Sequence, residues 1–322
     1  MTRREVVKSA IQHHKTDYIP YCIDLCTDAW ENIKPRVNKQ TIEEFLNNDV
    51  RDFYIPWWDW KLGDDWKQPD IPTSRLAVIG VGSYEDFYSS VKTARDTRDT
   101  RDKYFLVRIY GSHLEKAQGA RGFQNFMTDL AGSPTFIKKL LNTIMEKNMV
   151  MLENILSLEE IDGILLGSDW GSQKGLLMSM DMWNDMIRPG EQKEYDLIHA
   201  YGKDVWIHSC GCIEELIPTI IEMGVNVLNP LQPECMNIAN IKARYGDKLA
   251  FWGGISTQKT LPFGNIEEVQ AEVRNVRDML AAGGGYILSP AQSIQNDVSL
   301  ENILAFLEVA REGRQHCFVD VK

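Results

Sequence analysis

Two side chains with metal-binding chemistry stand two residues apart at the end of an apolar run. They are His208 and Cys210, in Val205-Trp206-Ile207-His208-Ser209-Cys210-Gly211-Cys212. Imidazole and thiolate form a donor pair that suits zinc. Valine, tryptophan and isoleucine favour a strand, and Gly202 and Gly211 punctuate the run at its two ends. In a strand, alternate side chains share a face. Trp206, His208 and Cys210 are therefore expected on one face, and Val205, Ile207 and Ser209 on the other. A zinc site usually takes three or four protein ligands. Without a further ligand, the pair reduces to a packed histidine and an inert thiol.

The elements around this run must bring a further ligand to it. Helical spacing of Val6, Val7, Ala10 and Ile11 predicts a helix over 2–14. The stretch Tyr18–Leu25 reads as a first buried strand, 40–48 as a helix, and 49–57 as a second strand running into Trp57, Trp58 and Trp60. Those tryptophans read chiefly as core, since large aromatics dominate cores. An apolar run covers 76–82, and the charged stretch 92–103 reads as a solvated excursion. Gly80 and Gly82 in the apolar run lack the strand-to-helix setting of a dinucleotide site. A strand is expected over 104–111 and a helix over 121–130. Ser133-Pro134 then opens a long helix, as N-cap and first helical residue.

From there strands and helices alternate. Strands are expected at 162–169, 205–210, 225–230, 249–254 and 285–289. Helices are expected near 181–201, 214–223, 238–245, 266–282 and 300–312. Short connections and continuous apolar runs imply parallel strands covered on both faces. About eight such units predict an α/β fold, a single-domain (β/α)8 TIM barrel over residues 1–322. An open doubly wound sheet is the rival.

In such a barrel the C-terminal strand ends carry the site. Those ends hold Asp24, Cys26, Trp57, Asp169, His208, Cys210, Asn229, Gln232, Gly254, Ser289 and Gln292. Cys22, Cys26, Cys212, Asp24 and Asp169 are all open as a third ligand. Cys235 and Cys317 read as structural. Arg108 and Arg188 are the nearest candidates for an anionic group. No strand-end lysine, G-x-S-x-G elbow or Walker loop is present.

Composition narrows the partners. The 322 residues carry 46 acidic and 35 basic side chains, a net charge of −11. That speaks against nucleic acid or an anionic membrane as partner. With no 20-residue apolar span and no apolar signal core, a cytoplasmic protein is expected. Its 6 cysteines would then be reduced.

Four motifs taken together resemble the uroporphyrinogen decarboxylase superfamily. They are Gly167-Ser168-Asp169-Trp170-Gly171-Ser172-Gln173, His208-Ser209-Cys210-Gly211, Asn229-Pro230-Leu231-Gln232 and Trp252-Gly253-Gly254-Ile255. More narrowly, the chain is similar to the corrinoid-dependent methyltransferase branch. The resemblance implies a (β/α)8 barrel in which zinc, held here by His208 and Cys210, activates a methyl donor or acceptor against a methylcobamide. Asp169, Gln173 and Gln232 would orient that molecule. Ser289 stands where the branch carries a late cysteine, so the third ligand is open. No cobalamin module is visible, so a partner protein would bring the corrinoid. The decarboxylase's arginine-rich stretch is replaced by Cys22-Ile23-Asp24-Leu25-Cys26. Decarboxylation is therefore the second reading, and a barrel that binds a ligand without catalysis the third.

Overall fold

The computed structural model describes residues 1–38, 40–55, 82–109 and 112–314, and the backbone alone at 60–62 and 76–78. Seven strands form one curled sheet: β1 Val50–Tyr54, β2 Tyr104–Ile109, β3 Gly163–Gly167, β4 Asp204–His208, β5 Val227–Leu231, β6 Ala250–Ile255 and β7 Tyr286–Pro290. They lie in chain order and every pairing is parallel. Parallel neighbours need crossovers, and the long helices Pro134–Leu156, Arg188–Ala200 and Ile266–Ala281 provide them.

Period-2 alternation sorts the side chains as expected. Trp206 joins Val50, Tyr104, Leu106, Leu165, Val227, Trp252 and Ile287 in an apolar layer on the concave face. Val205 and Ile207 pack in the larger core beneath the helices. The register sets Gly167 beside His208, and His208 beside Asn229. The concave layer therefore ends in a polar rim at the strands' C-terminal ends.

The expected first strand, Tyr18–Leu25, is extended but makes only isolated bridges, Tyr21 to Leu288 and Leu25 to Ile294. Towards β7 its bonds are backbone bonds: Cys22 N–H to Leu288 O at 3.1 Å and Leu288 N–H to Pro20 O at 2.8 Å. Towards β1 one backbone bond, Asp49 N–H to Tyr21 O at 3.0 Å, is joined by side chains that stand in for the rest of a ladder. The Asp49 carboxylate accepts from Tyr21 N–H, and the Asn48 amide both accepts from and donates to Ile23. These substitutes satisfy the backbone without strand geometry, so the segment links both sheet edges yet counts as no strand.

Other expectations need correction. The stretch 92–103 is a solvated excursion only in part: 97–102 is largely exposed turn, but 92–96 closes a helix and Ala94 and Lys103 are buried. Ser83 and Asp86 form a capping box that starts helix Tyr84–Asp96, which buries Val91 and Ala94. The helix expected over 121–130 is present as Phe123–Gly132, and an unexpected helix, Leu114–Arg121, precedes it, set apart by Gly122 with φ +82°. Helix 181–201 is also split, into Met180–Met186 and Arg188–Ala200, with Pro189 in the first turn of the second. Ser133 precedes Pro134 as expected but makes no side-chain cap bond. The start of the apolar run, 76–78, pairs with 60–62 in a small antiparallel ribbon outside the main sheet. Trp57, Trp58, the Trp60 side chain and Cys317 lie outside the described residues. No described helix is long and apolar enough to cross a membrane.

Lys103, just before β2, is 5% exposed. Burial, with Arg3 and Arg51 nearby, pulls its ammonium from 10.5 down to about 8. In the unfolded chain the group titrates near its ordinary value. The unfolded state thus holds the extra proton between the two values, and stability rises with pH across that window. Below about 8 the destabilisation is fully present, on the order of 2–3 kcal/mol. Lys103→Met is expected to raise the urea midpoint at pH 7 and to flatten the alkaline slope. An unchanged slope would show that Lys103 is not its source.

Candidate metal centre

β4 ends at His208, and the chain turns out of the sheet through Ser209 and Cys210. The two side chains meet, with Cys210 Sγ 3.3 Å from His208 Nε2. Asp169, just beyond β3, places Oδ1 3.6 Å from the same nitrogen. That oxygen also accepts the Cys210 N–H at 2.8 Å. The ligand atoms of Asp169, His208 and Cys210 all lie within 4.8 Å of one another.

The imidazole's proton is placed by its neighbours. Asn229 donates through Nδ2 to the Trp252 carbonyl at 3.2 Å, which turns its Oδ1 towards His208. His208 Nδ1 stands 2.6 Å from that oxygen and must donate to it. Nε2 is left as a lone pair facing Cys210 and Asp169, the orientation a ligating histidine takes when its other nitrogen is held. Burial holds His208 below its ordinary pKa, so the ring is neutral at pH 7. Burial first, then the Asp169 charge, pushes the Cys210 thiol up to about 12. A neutral imidazole, a thiol and a carboxylate around one point lack a positive charge. A divalent cation would fill that lack and draw the proton off sulfur. The residues present fit a metal.

The sequence left several third ligands open, and the structure separates them. Cys22 is fully buried in the concave apolar layer. Cys26 caps helix Thr27–Ile33, its sulfur accepting from Ala29 N–H at 3.4 Å. Cys212 packs against the helix-side core, and Cys235 hydrogen-bonds the Gln232 carbonyl. Asp24 pairs with Arg108 at 3.5 Å and accepts from Ser293. Ser289 is buried on β7. Asp169 alone of these stands against His208 and Cys210.

Of the other predicted residues, Gln232 is buried and its Oε1 accepts Gly211 N–H at 3.0 Å, which holds the turn after Cys210. Gln173 lies at the exposed tip of the hairpin formed by 171–172 and 175–176, outside the bonds that tie the cluster. Arg188 pairs with Glu222 at 3.0 Å, away from the rim. Arg108 is at the rim but committed to Asp24 and Asp52, and its guanidinium lies 4.9 Å from the Trp252 ring centre.

Of the supporting residues, Asn229 and Gln292 were among the strand ends read from the sequence but carried no role there, and Glu115 was missed. Gln292 donates to Cys210 Sγ at 2.9 Å. Glu115 accepts the Asp169 N–H at 3.1 Å. Register supplies the role of Asn229: it is a polar residue directly across a parallel pair from His208. Two glycines explain why the hairpin sits against the ligand turn. A Cβ on Gly171 would lie 2.7 Å from the Cys210 carbonyl, and one on Gly211, where φ is +87°, 2.6 Å from Gly171 backbone. Only two residues without side chains pack back to back this closely, and Cys212 N–H seals the contact by donating to Ser172 O at 2.7 Å.

Asn229→Ala removes the acceptor at Nδ1 while leaving every candidate ligand in place. Metal affinity is expected to fall about 10–100-fold, measured by competition with a chromophoric chelator. Unchanged affinity would show that Asn229 does not orient the ring.

A recess of about 520 Å³, lined by Ala10, His13, Lys15, Gly284 and Tyr286 among others, opens at the other end of the strands. It contains none of the residues above.

A methyltransferase from Methanosarcina mazei has a similar fold, with TM-score 0.70 and 15% sequence identity over 97% of this chain and 99% of that one. D-psicose 3-epimerase matches far less closely, at TM-score 0.37 and 11% identity over 88% and 91%. A search of curated proteins gives no match. The sequence matches the uroporphyrinogen decarboxylase family from residue 112 to 313, the span that holds Asp169, His208, Cys210 and Asn229. That match covers well over half of the chain, which therefore belongs to the uroporphyrinogen decarboxylase family.

Proposed function

We propose that the protein is a methyltransferase of the corrinoid-dependent kind, built as a (β/α)8 barrel with zinc at His208, Cys210 and Asp169. One observation carries the reading: a thiol, an imidazole lone pair and a carboxylate converge at the strand ends, with ligand atoms within 4.8 Å. The similar fold of a methyltransferase supports it. Zinc, when bound, supplies Lewis acidity that activates a methyl donor or acceptor. The chain supplies the rest. Asn229 fixes the His208 tautomer, and Gln292 donates to the Cys210 sulfur and restrains its basicity. Asp169 provides the oxygen that the resemblance left unassigned. Gln232 holds the ligand turn, and Gln173 sits at the rim where an incoming molecule would pass. The described residues form no cobalamin module, and a separate corrinoid protein is the proposed carrier of the methyl group.

Arg108 bears on the decarboxylase reading. Its charge is already met by Asp24 and Asp52. A substrate with several carboxylates would meet acidic groups around that single guanidinium, an unfavourable setting. The acidic rim suits a metal cation and a thiol or alcohol instead.

Methylcobalamin and a panel of small thiols test the proposal, with transfer followed by the cobalamin spectrum. Metal-dependent demethylation is expected. A fully zinc-loaded protein inert towards methylcobalamin, with every thiol and with a methylated corrinoid protein, would overturn it.

A further inference from the structure

A second set of metal-ligating side chains lies behind β3, among the helices. His113, which begins helix Leu114–Arg121, faces Glu191 and Glu194 on helix Arg188–Ala200. Two carboxylates three residues apart on a helix project to the same side. His113 Nδ1 stands 3.1 Å from Glu191 Oε1 and 3.9 Å from Glu194 Oε2. One ligand atom from each residue falls within 4.8 Å of the others. All three side chains are 1% exposed or less.

The polar atoms here are unusually poorly served. Asn148 donates to Glu194 Oε1 and to the Ser112 carbonyl, each at 2.8 Å. Neither oxygen of Glu191, nor Glu194 Oε2, nor either ring nitrogen of His113 makes a well-formed hydrogen bond among the described residues. Two buried carboxyl groups beside one imidazole are costly unless positive charge joins them, and a protonated His113, favoured against its burial by the Glu191 and Glu194 charges, offsets only one of the two. The backbone accommodates the arrangement: a Cβ on Gly190 would lie 3.0 Å from His113 Nε2, so that helix carries glycine where the ring seats.

We propose that His113, Glu191 and Glu194 hold a divalent cation of the zinc, iron(II) or manganese(II) class, distinct from the His208 centre. One nitrogen and two carboxylates form a donor set without sulfur, which suits these ions. The ion is structural. It ties helix Leu114–Arg121 to helix Arg188–Ala200, and it braces the segment that holds Asp169. That bracing runs through Ser112, whose hydroxyl lies 2.9 Å from the Ser168 hydroxyl, and through Glu115, which accepts the Asp169 N–H. Because the site is sealed, the ion is acquired as the chain folds.

The test separates the two centres. Protein is prepared without chelator as wild type, as His208→Ala with Cys210→Ala, and as Glu191→Gln with Glu194→Gln. Metal is counted by mass spectrometry, and the coordination shell is read by X-ray absorption. The His208/Cys210 variant is expected to retain about one equivalent of metal, surrounded by nitrogen and oxygen with no sulfur. The glutamine pair is expected to lose that equivalent and to melt at a lower temperature that added metal does not restore. If the glutamine pair fails to fold, the His208/Cys210 variant decides alone, since its second cluster is intact. That variant emerging without metal, even after refolding with Zn²⁺, Mn²⁺ or anaerobic Fe²⁺, would overturn the proposal. So would sulfur in the shell of the retained ion. Either result would mean that protons neutralise the carboxyl groups.

Discussion

Cys210→Ser is expected to empty the strand-end centre and to lower kcat/KM for methyl transfer on the order of 10³-fold, the equivalent of several kcal/mol of lost charge stabilisation. A serine hydroxyl is a poor zinc ligand beside a thiolate. The substitution changes one atom at a half-buried position, so the fold is expected to stay intact. His208→Ala should do the same. Asp169→Asn divides two roles for the carboxylate. If Asp169 is the third ligand, bound metal falls along with turnover. If it only orients the reacting molecule, metal stays and kcat falls alone. Metal analysis and kinetics on the same preparations read both. A Cys210→Ser protein that keeps wild-type zinc and turnover would remove the centre from the chemistry altogether.

Asp162→Asn is expected to destabilise the chain more than any surface change. The side chain of Asp162 is fully buried at the entry to β3. It takes Arg4 Nε at 2.6 Å, Lys8 Nζ at 3.0 Å, Arg95 Nη2 at 3.3 Å and the Phe105 N–H at 3.0 Å. The carboxylate thus fastens the first helix and helix Tyr84–Asp96 to the N-terminal ends of β2 and β3. The amide leaves three cations without their counter-charge. Breaking a buried cluster in this way costs about 3–5 kcal/mol, or roughly 10 °C in Tm for a domain of this size. Arg4→Met should cost far less, because the Arg4 side chain is 39% exposed and partly served by water. Calorimetry on the two variants is the measurement. A difference under about 1 kcal/mol between Asp162→Asn and wild type would refute the account.

Much of this was legible in the chain itself. Alternating β and α segments named the fold class, because a buried parallel strand must read as an unbroken apolar run. Period-2 geometry pointed to His208 and Cys210 as neighbours, although the strand ends at His208 and it is the turn held by Asp169 and Gln232 that brings the sulfur to the ring. Asp169 was reachable as a strand end, but its selection over Asp24, Cys22, Cys26 and Cys212 required coordinates. Sequence spacing could not show that Arg108 already engages Asp24, or that Cys26 caps a helix. The first strand was misjudged because Asn48 and Asp49 side chains stand in for a ladder, and side-chain substitution for backbone pairing leaves no periodic trace. The break before Pro189 did carry a signal, since proline favours the first turn of a new helix. The His113 cluster carried none: a strand, a hairpin and several helices separate position 113 from 191 and 194, and nothing local relates them.

The back-to-back glycines at 171 and 211 limit how the entrance can breathe. With main chain pressed on main chain, the hairpin bearing Gln173 and the turn bearing Cys210 travel together as one piece. A hinge that swung Gln173 over a docked molecule would drag the Cys210 sulfur with it and dismantle the proposed centre. Any covering motion during turnover must therefore come from a different part of the rim.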